Sequence, residues 1–353
     1  MKIAWYASGH GFGHISRSSV VINRILELYP ASQIVVTSSR GGFLGSRDRL
    51  ETRIRETDPG MFQKTSIDLD LEKTLANIEN FLHDHKTRLE EERIFLQQYQ
   101  ADVVVSDASS WPLKLAQELG IRSIFMGNFT WDFIYSYYAK YNPLFQQFAS
   151  SLALEYACAD KQLILPFHCV TERNARQIFT GVIGRKPTRS KIENRNRLGF
   201  AADKIYILLS FGAYGLQGIP FELEKLDKNI VLVASELDFA QGEQILHMNN
   251  EWYPDLVSAC DYVLTKPGYG ILSECHFART PVIYTERGDF PEYPFLVGAL
   301  QTHFASHYIE KEDLLQMNFS KIFQDKKQWP QKKLDDGLDQ VVAEIVTASP
   351  ATW

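Results

Sequence analysis

The stretch that most constrains this chain is Lys266-Pro267-Gly268-Tyr269-Gly270-Ile271-Leu272-Ser273-Glu274, set between the apolar runs Tyr262-Val263-Leu264 and Val282-Ile283-Tyr284. The first run reads as a buried strand, and the helical pattern behind the glycines stops before Pro281. The order is strand, glycine loop, helix, strand. Glycines at such a turn let backbone N–H groups approach an anion, and the helix N-terminus adds roughly half a positive charge. Lys266 stands at the strand end, able to meet a second phosphate oxygen. Glu274, one to two turns into the helix, offers a carboxylate to a pair of sugar hydroxyls. A nucleotide diphosphate fits this layout, and so does a tight turn followed by a helix-surface glutamate.

The same order opens the chain. Ile3 to Ala7 reads as a strand, Ser8-Gly9-His10-Gly11-Phe12-Gly13-His14 as a loop, and Ile15 to Leu28 as a helix ending before Pro30. Gly9 and Gly11 match two glycines of the dinucleotide fingerprint, but His14 stands at the third position, and no acidic residue follows between Gln33 and Ser39. NAD is therefore excluded. Further strands are expected at Ile34 to Val36, Val103 to Val105, Ile121 to Phe125, Leu163 to Leu165, Ile205 to Leu209 and Ile230 to Val233. Leu71, Leu75, Ile78, Leu82 and Leu89 mark one buried face of a long helical segment ending near Tyr99, and the tail from Lys326 to Val346 has a helical pattern.

At 353 residues the chain suits two α/β domains, residues 1–182 and 183–353, the final helix packing back on the first. Two Rossmann-like halves facing each other across a cleft are the expected architecture. A formal charge of −6 argues against nucleic-acid binding. Cys158, Cys169, Cys260 and Cys275 show no metal-ligand spacing, the N-terminus turns polar too soon for a signal peptide, and no apolar run reaches the roughly 18 residues of a membrane span. A cytoplasmic protein is expected.

Ligands of open α/β sheets lie at the carboxyl ends of the strands. Asp107 follows the run at Val103, and Asn128 and Asp132 follow the run at Ile121, so these residues can converge with His10 and His14, while Trp131 suits the acceptor side or, better, core packing. Asp107 also suits a cap for the helix beginning near Trp111. Arg17, one turn beyond His14, reaches for a phosphate or pairs at the surface. Gly212 closes the strand at Ile205 as part of a second glycine-rich turn, Ser210 to Gly215. Trp252-Tyr253 suits base stacking or core packing. Asp68-Leu69-Asp70 has the form of a metal-holding carboxylate pair, a pattern common by chance, and no metal is expected. The basic loop from Arg40 to Arg49 suits a lipid surface or a partner.

With these residues in place, the sequence resembles the GT-B glycosyltransferases, which carry two Rossmann-like domains and use soluble nucleotide sugars. Lys266, Gly268, Glu274 and Pro281 match the donor motif of plant secondary-metabolite glycosyltransferases, and the peptidoglycan N-acetylglucosaminyltransferase has similar spacing. In that motif the basic residue meets the diphosphate and the glutamate binds the ribose. Gly11-Phe12-Gly13-His14 is similar to the loop whose histidine is the catalytic base, and Asp107 matches the aspartate that orients it. The chain departs from the pattern twice. Arg287-Gly288-Asp289-Phe290-Pro291-Glu292 replaces an acidic-Gln pair, and Gly270-Ile271 replaces an asparagine-serine pair. Ser8 to His14, Ala101 to Asp107, Gly120 to Ser123, Asn128 to Tyr135 and Tyr253 to Glu274 resemble the glycosyltransferase-like N-terminal domain of plant L-arabinokinases. No proline-glycine-serine phosphate loop of the small-molecule kinases occurs in the sequence.

These resemblances imply an inverting, metal-independent transfer of a hexose or pentose from a UDP-type sugar to a hydroxyl of a small molecule, glycan or lipid-linked acceptor. The nucleotide sugar is a substrate, and no cofactor is expected. His14 takes the acceptor proton, a step worth typically 10²–10⁴ in rate, while Asp107 fixes its tautomer. Gly212, Lys266, Gly268, Tyr269, Gly270, Glu274 and Asp289 hold the donor; His10, Gly11, Gly13, Arg17, Asn128, Asp132 and Glu292 line the phosphate or acceptor side. Two alternatives are a nucleotide-sugar-binding regulatory domain without catalysis and a nucleotide-sugar epimerase.

Overall fold

The alternation of apolar runs and amphipathic segments folds into two parallel sheets in a computed structural model, which describes residues 1–64, 69–171, 173–212, 220–235, 242–325, 327–330 and 333–347. Two compact units result: unit 1 holds Met1–Phe62, Leu69–Ile183 and Asp335–Trp353, and unit 2 holds Gln63–Asp68 and Gly184–Leu334.

Among the described residues unit 1 is a seven-stranded sheet of β1 (Lys2–Ala7), β2 (Gln33–Thr37), β3 (Leu50–Arg53), β4 (Val103–Asp107), β5 (Arg122–Gly127), β6 (Lys161–Ile164) and β7 (Gln177–Phe179). Its order is β3-β2-β1-β4-β5-β6-β7. Around it lie α1 (Gly13–Leu28), α2 (Leu71–His83), α3 (His85–Tyr99), α4 (Trp111–Glu118), α5 (Trp131–Tyr138) and α6 (Pro143–Tyr156). Central strands such as Val103-Val104-Val105 are buried on both faces, which is why they are unbroken apolar runs rather than alternating ones. On one face Ile15, Ile22 and Ile25 of α1 meet Ile3, Trp5 and Val105; on the other, Phe81, Leu96, Trp111 and Leu115 meet Ala4, Tyr6 and Val104.

Unit 2 follows α7 (Lys191–Leu198) with β8 (Ile205–Ser210), β9 (Ile230–Ala234), β10 (Ile245–His247), α8 (Tyr253–Ala259), β11 (Tyr262–Thr265), α9 (Tyr269–Ala278) and β12 (Val282–Tyr284). It closes with α10 (Tyr293–His303), β13 (Ser306–Tyr308), α11 (Lys311–Leu315) and α12 (Ser320–Gln324). The sheet order, β10-β9-β8-β11-β12-β13, is that of the doubly wound nucleotide-binding fold. In each unit the order reverses beside the first strand, between β1 and β4 and between β8 and β11. Both glycine loops stand at these switch points.

Two expectations change. The segment from Leu71 to Tyr99 is two helices parted at Asp84, and its buried residues are Thr74, Ile78 and Phe81, then Glu92 and Leu96. Leu82 is 45% exposed, because Phe81 rather than the leucine stripe turns to the core. In the tail only α13 (Leu338–Val346) is helical among the described residues, and it belongs to unit 1. Val341, Val342 and Ile345 join the core beside Ile22 and Ile25, with Arg24–Asp339 and Lys161–Glu344 ion pairs at the rim. No helix among the described residues is long and apolar enough to cross a membrane.

Candidate active site

Gly11, at φ +79°, lets the loop after β1 turn into α1 in a conformation that other residues rarely adopt. Gly13 and His14 begin the helix, one turn ahead of Arg17 and Ser18. Parallel pairing aligns Ala7 with Asp107, so the aspartate at the end of β4 faces that first turn. His14 Nδ1 lies 2.8 Å from Asp107 Oδ1. Arg17 Nε donates to Asp107 Oδ2 at 2.8 Å, Arg17 Nη2 donates to Oδ1, and Ser18 Oγ donates to Oδ2 at 2.9 Å. Asp107 is 0% exposed and His14 6%. Burial alone would push the Asp107 carboxyl up, but Arg17 and His14 outweigh it and hold the group down at about 2. It is an anion at every physiological pH.

Arg17 Nη2 also lies 3.0 Å from His14 Nδ1. Arg17 already donates through Nη2 to Asp107 and through Nη1 to Asn128, and a bare Nδ1 facing a carboxylate at 2.8 Å would oppose two lone pairs, so we assign the proton to Nδ1, donated to Asp107, and read the Arg17–Nδ1 approach as no hydrogen bond. Nε2 then carries the lone pair, and no described residue hydrogen-bonds to it. The ring edge meets Phe129, centroids 5.7 Å apart.

Several residues expected near this group are engaged elsewhere. Arg17, read as a phosphate contact, is buried and turned inward on Asp107 and on the side-chain oxygen of Asn128. Asn128 in turn donates through Nδ2 to the Pro166 carbonyl at 2.6 Å, which occupies both ends of its amide. Asp107 does not cap α4, whose N-cap is Ser110. His10 lies edge-on to Trp131 at 5.3 Å and against Gly60, where a Cβ would crowd its ring. Trp131 is core, stacked on Tyr135. Asp132 starts α5 with a raised carboxyl, pushed up by burial. The arginines of the basic loop are spent on the fold: Arg40 lies over Phe12, Arg47 binds Asn23, and Arg49 Nη1 donates to the Leu26 and Pro30 carbonyls at the end of α1. Asp70 caps α2, accepting from Lys73 N at 3.0 Å, while Asp68 lies outside the described residues.

In unit 2, α9 starts at Tyr269 with Gly268 as N-cap and no capping side chain, which leaves its first amides to a ligand or solvent. Gly268 is extended at φ −155°, and a Cβ there would meet nothing within 4 Å. Neither backbone nor packing demands this glycine, so the space above it is open. Gly270 lies within the helix. Burial first, and Arg287 second, bring the Lys266 ammonium down to about 8. Arg287 donates to the Pro267 carbonyl at 3.1 Å and approaches buried Glu292 at 3.6 Å, placing a second cation beside the loop. Asp289 is exposed on the turn after β12. Gly212 lies two residues past the end of β8 at φ +76°, and Ala213 to Gly215 lie outside the described residues.

Glu274, 4% exposed, is ion-paired: Arg185 Nε and Nη2 both reach Oε1, at 2.7 and 2.6 Å. Both contacts fall on one oxygen, and Oε2 takes none from Arg185. The Arg185 guanidinium lies 5.3 Å from the Trp252 ring and 5.8 Å from Tyr253, whose hydroxyl donates to Ser210 Oγ at 2.7 Å. Sequence reading gave no role to Arg185, Arg287 or Asp58. Each lies in a Gly- or Pro-punctuated turn whose spacing carries no periodic signal, and only the fold brings it to its partner.

No protein-family model matches this sequence. Over 327 residues it is 28% identical to L-arabinokinase of Arabidopsis thaliana, an alignment that covers 89% of this chain and 31% of that protein. Among solved structures, the glycosyltransferase of kitacinnamycin superposes with a TM-score of 0.63 at 17% identity, covering 92% of this chain and 91% of that one. A UDP-glucosyltransferase from Polygonum tinctorium capable of glucosylating indoxyl gives 0.60 at 13%, covering 98% and 93%. The calicheamicin glycosyltransferase CalG4 gives 0.57 at 13%, covering 97% and 92%. The fold is therefore GT-B, that of the glycosyltransferases.

Proposed function

We propose that this GT-B chain is an inverting glycosyltransferase that moves a sugar from a nucleotide diphosphate, UDP for preference, to a hydroxyl acceptor. The observation that carries the reading is the His14–Asp107 contact at the switch point of unit 1, which leaves Nε2 of a nearly buried imidazole as the proton acceptor. His14 takes the acceptor hydroxyl proton as the oxygen attacks the anomeric carbon, and the bond from that carbon to the diphosphate oxygen breaks. Attack opposite the leaving group inverts the centre. The departing charge falls on Lys266, Arg287 and the first amides of α9, a set of positive groups that makes the transfer metal-independent in this reading. The UDP-glucosyltransferase among the similar structures supports the choice of base, and Glu274 Oε2 is the atom we assign to the ribose hydroxyls.

The Arg185–Glu274 pair, together with the likeness to part of L-arabinokinase, leaves room for a second reading. A carboxylate already paired is not a pre-formed ribose site, so a regulatory domain that binds a nucleotide sugar without turning it over accounts for it equally well. Calorimetry with UDP, GDP, dTDP and their sugars tests the donor site: binding to one nucleotide is expected, weakened about tenfold or more by Glu274→Ala. Absence of binding to all of them removes the assignment. With a donor in hand, slow release of free sugar by wild type that is lost in His14→Ala supports the transferase, and binding with no turnover in either supports the regulatory domain.

A further inference from the structure

Transfer of a proton to His14 creates an imidazolium, and the residues at its Nδ1 side do not balance it. Asp107 is matched by Arg17, held through two contacts, so this trio with a protonated His14 carries a net charge of +1. A second carboxylate stands close by. Asp58, on the segment after β3, is tied to both flanks of the His14–Asp107 pair: Ser8 Oγ donates to its Oδ1 at 3.0 Å, and Ser109 Oγ to its Oδ2 at 3.0 Å. Ser8 in turn binds the Asp107 carbonyl through its amide and receives the His10 amide on its hydroxyl. Asp58 and Trp131 border a common cavity of about 60 Å³, room for one or two waters, and the chain of rings from Trp131 through Phe129 ends on His14. The bonds to Asp58 come from hydroxyls, those of Ser8 and Ser109 and, at 3.4 Å, that of Thr57, and no ion pair joins it to a cation among the described residues.

We propose that Asp58 is the counter-charge of His14: the carboxylate, not neutralised by any arginine, that stabilises the imidazolium formed when the acceptor proton arrives. Asp58 acts through His14 and is a positioning residue. With His14 neutral, Asp107, Arg17 and Asp58 sum to −1; after the proton moves, the four groups sum to zero. The ionisable groups around His14 are Arg17 from its own helix, Asp107 from β4, Asp58 after β3 and His10 before α1; Asn128 and Phe129, after β5, bring no charge. Burial pushes the Asp58 carboxyl up, against the opposing pull of His14, Ser109, Ser8 and Trp131. The inference rests on His14 being the base of the proposed transfer.

The test is an NMR titration of the His14 ring, assigned by its loss in His14→Gln. Asp58→Asn removes the charge and keeps one acceptor oxygen, so that one serine hydroxyl still donates to it and the other must turn to accept from the amide. It is expected to lower the His14 midpoint by about one unit, while Ser109→Ala leaves it nearly in place. A midpoint within about 0.2 units of wild type in Asp58→Asn overturns the proposal. Should that variant not fold, wild type decides alone: coupled groups titrate together, so the His14 signal must inflect where the Asp58 carboxyl carbon titrates. An uncoupled pair ends the idea. Neither measurement needs donor or acceptor, so a coupled pair in a protein with no transferase activity would sink the transferase reading and leave the charge pairing standing.

Discussion

Single side chains in this molecule are held at a cost to the fold, and Lys266 is the clearest case. Its ammonium titrates near 8 in the folded chain, against about 10.4 for a free lysine. Between those two values the unfolded chain binds more protons than the folded one, so this residue's contribution to stability rises with pH across that window. Lys266→Met is therefore expected to melt higher than wild type at pH 7, the gap closing toward pH 10, and to lose the proposed diphosphate binding, which in wild type is expected to weaken above pH 8. Thermal midpoints at pH 7 and 9.5, with and without UDP, check both halves. Lys266 and Glu274 stand out in the sequence because their spacing from Gly268 carries the motif, and the structure sets both beside the start of α9 or within it. The Arg185 and Arg17 partnerships do not, because each depends on where an arginine some distance along the chain swings once the sheet has formed.

At the scale of elements, glycines in the two loops do different work, although they look alike as letters. Gly11 has a left-handed backbone, and Gly11→Ala is expected to lower stability by about 1 kcal/mol. Gly268 is extended with open space where a Cβ would go, so Gly268→Ala is expected to change stability by less than about 1 kcal/mol. A methyl at this N-cap enters the open space beside the start of α9 and is expected to cut nucleotide affinity at least tenfold. Denaturant unfolding and calorimetry on the two variants separate the roles, and equal affinity for Gly268→Ala would rule out anion binding at that helix end. Strands with continuous apolar runs were legible, whereas the edges β3, β7, β10 and β13 were not, being short and half exposed. The face of α2 was misread because one phenylalanine outweighs a stripe of leucines.

The whole molecule is not two beads in sequence. Unit 1 is interrupted after Ile183 and resumes at Asp335, where Val182 pairs with Asp336 and Gly181 approaches Gly337 so closely that either Cβ would collide with the other strand. Ile345→Ala, at a fully buried position, is expected to cost about 2–4 kcal/mol in unit 1 alone. Hydrogen exchange should then rise in β1 and α1 and stay unchanged in β8 and β11; equal loss in both units would contradict the division. Repeating α/β order makes two sheets legible from the letters, and the expected return of the last helix to the first unit is found at Asp335, but which apolar stripe it covers is recorded by no local pattern. On the ribosome the consequence is one of timing. The part of the α1 stripe around Ile22 and Ile25 that packs on Val341, Val342 and Ile345 leaves the ribosome early, and its last cover is translated only after the entire second unit.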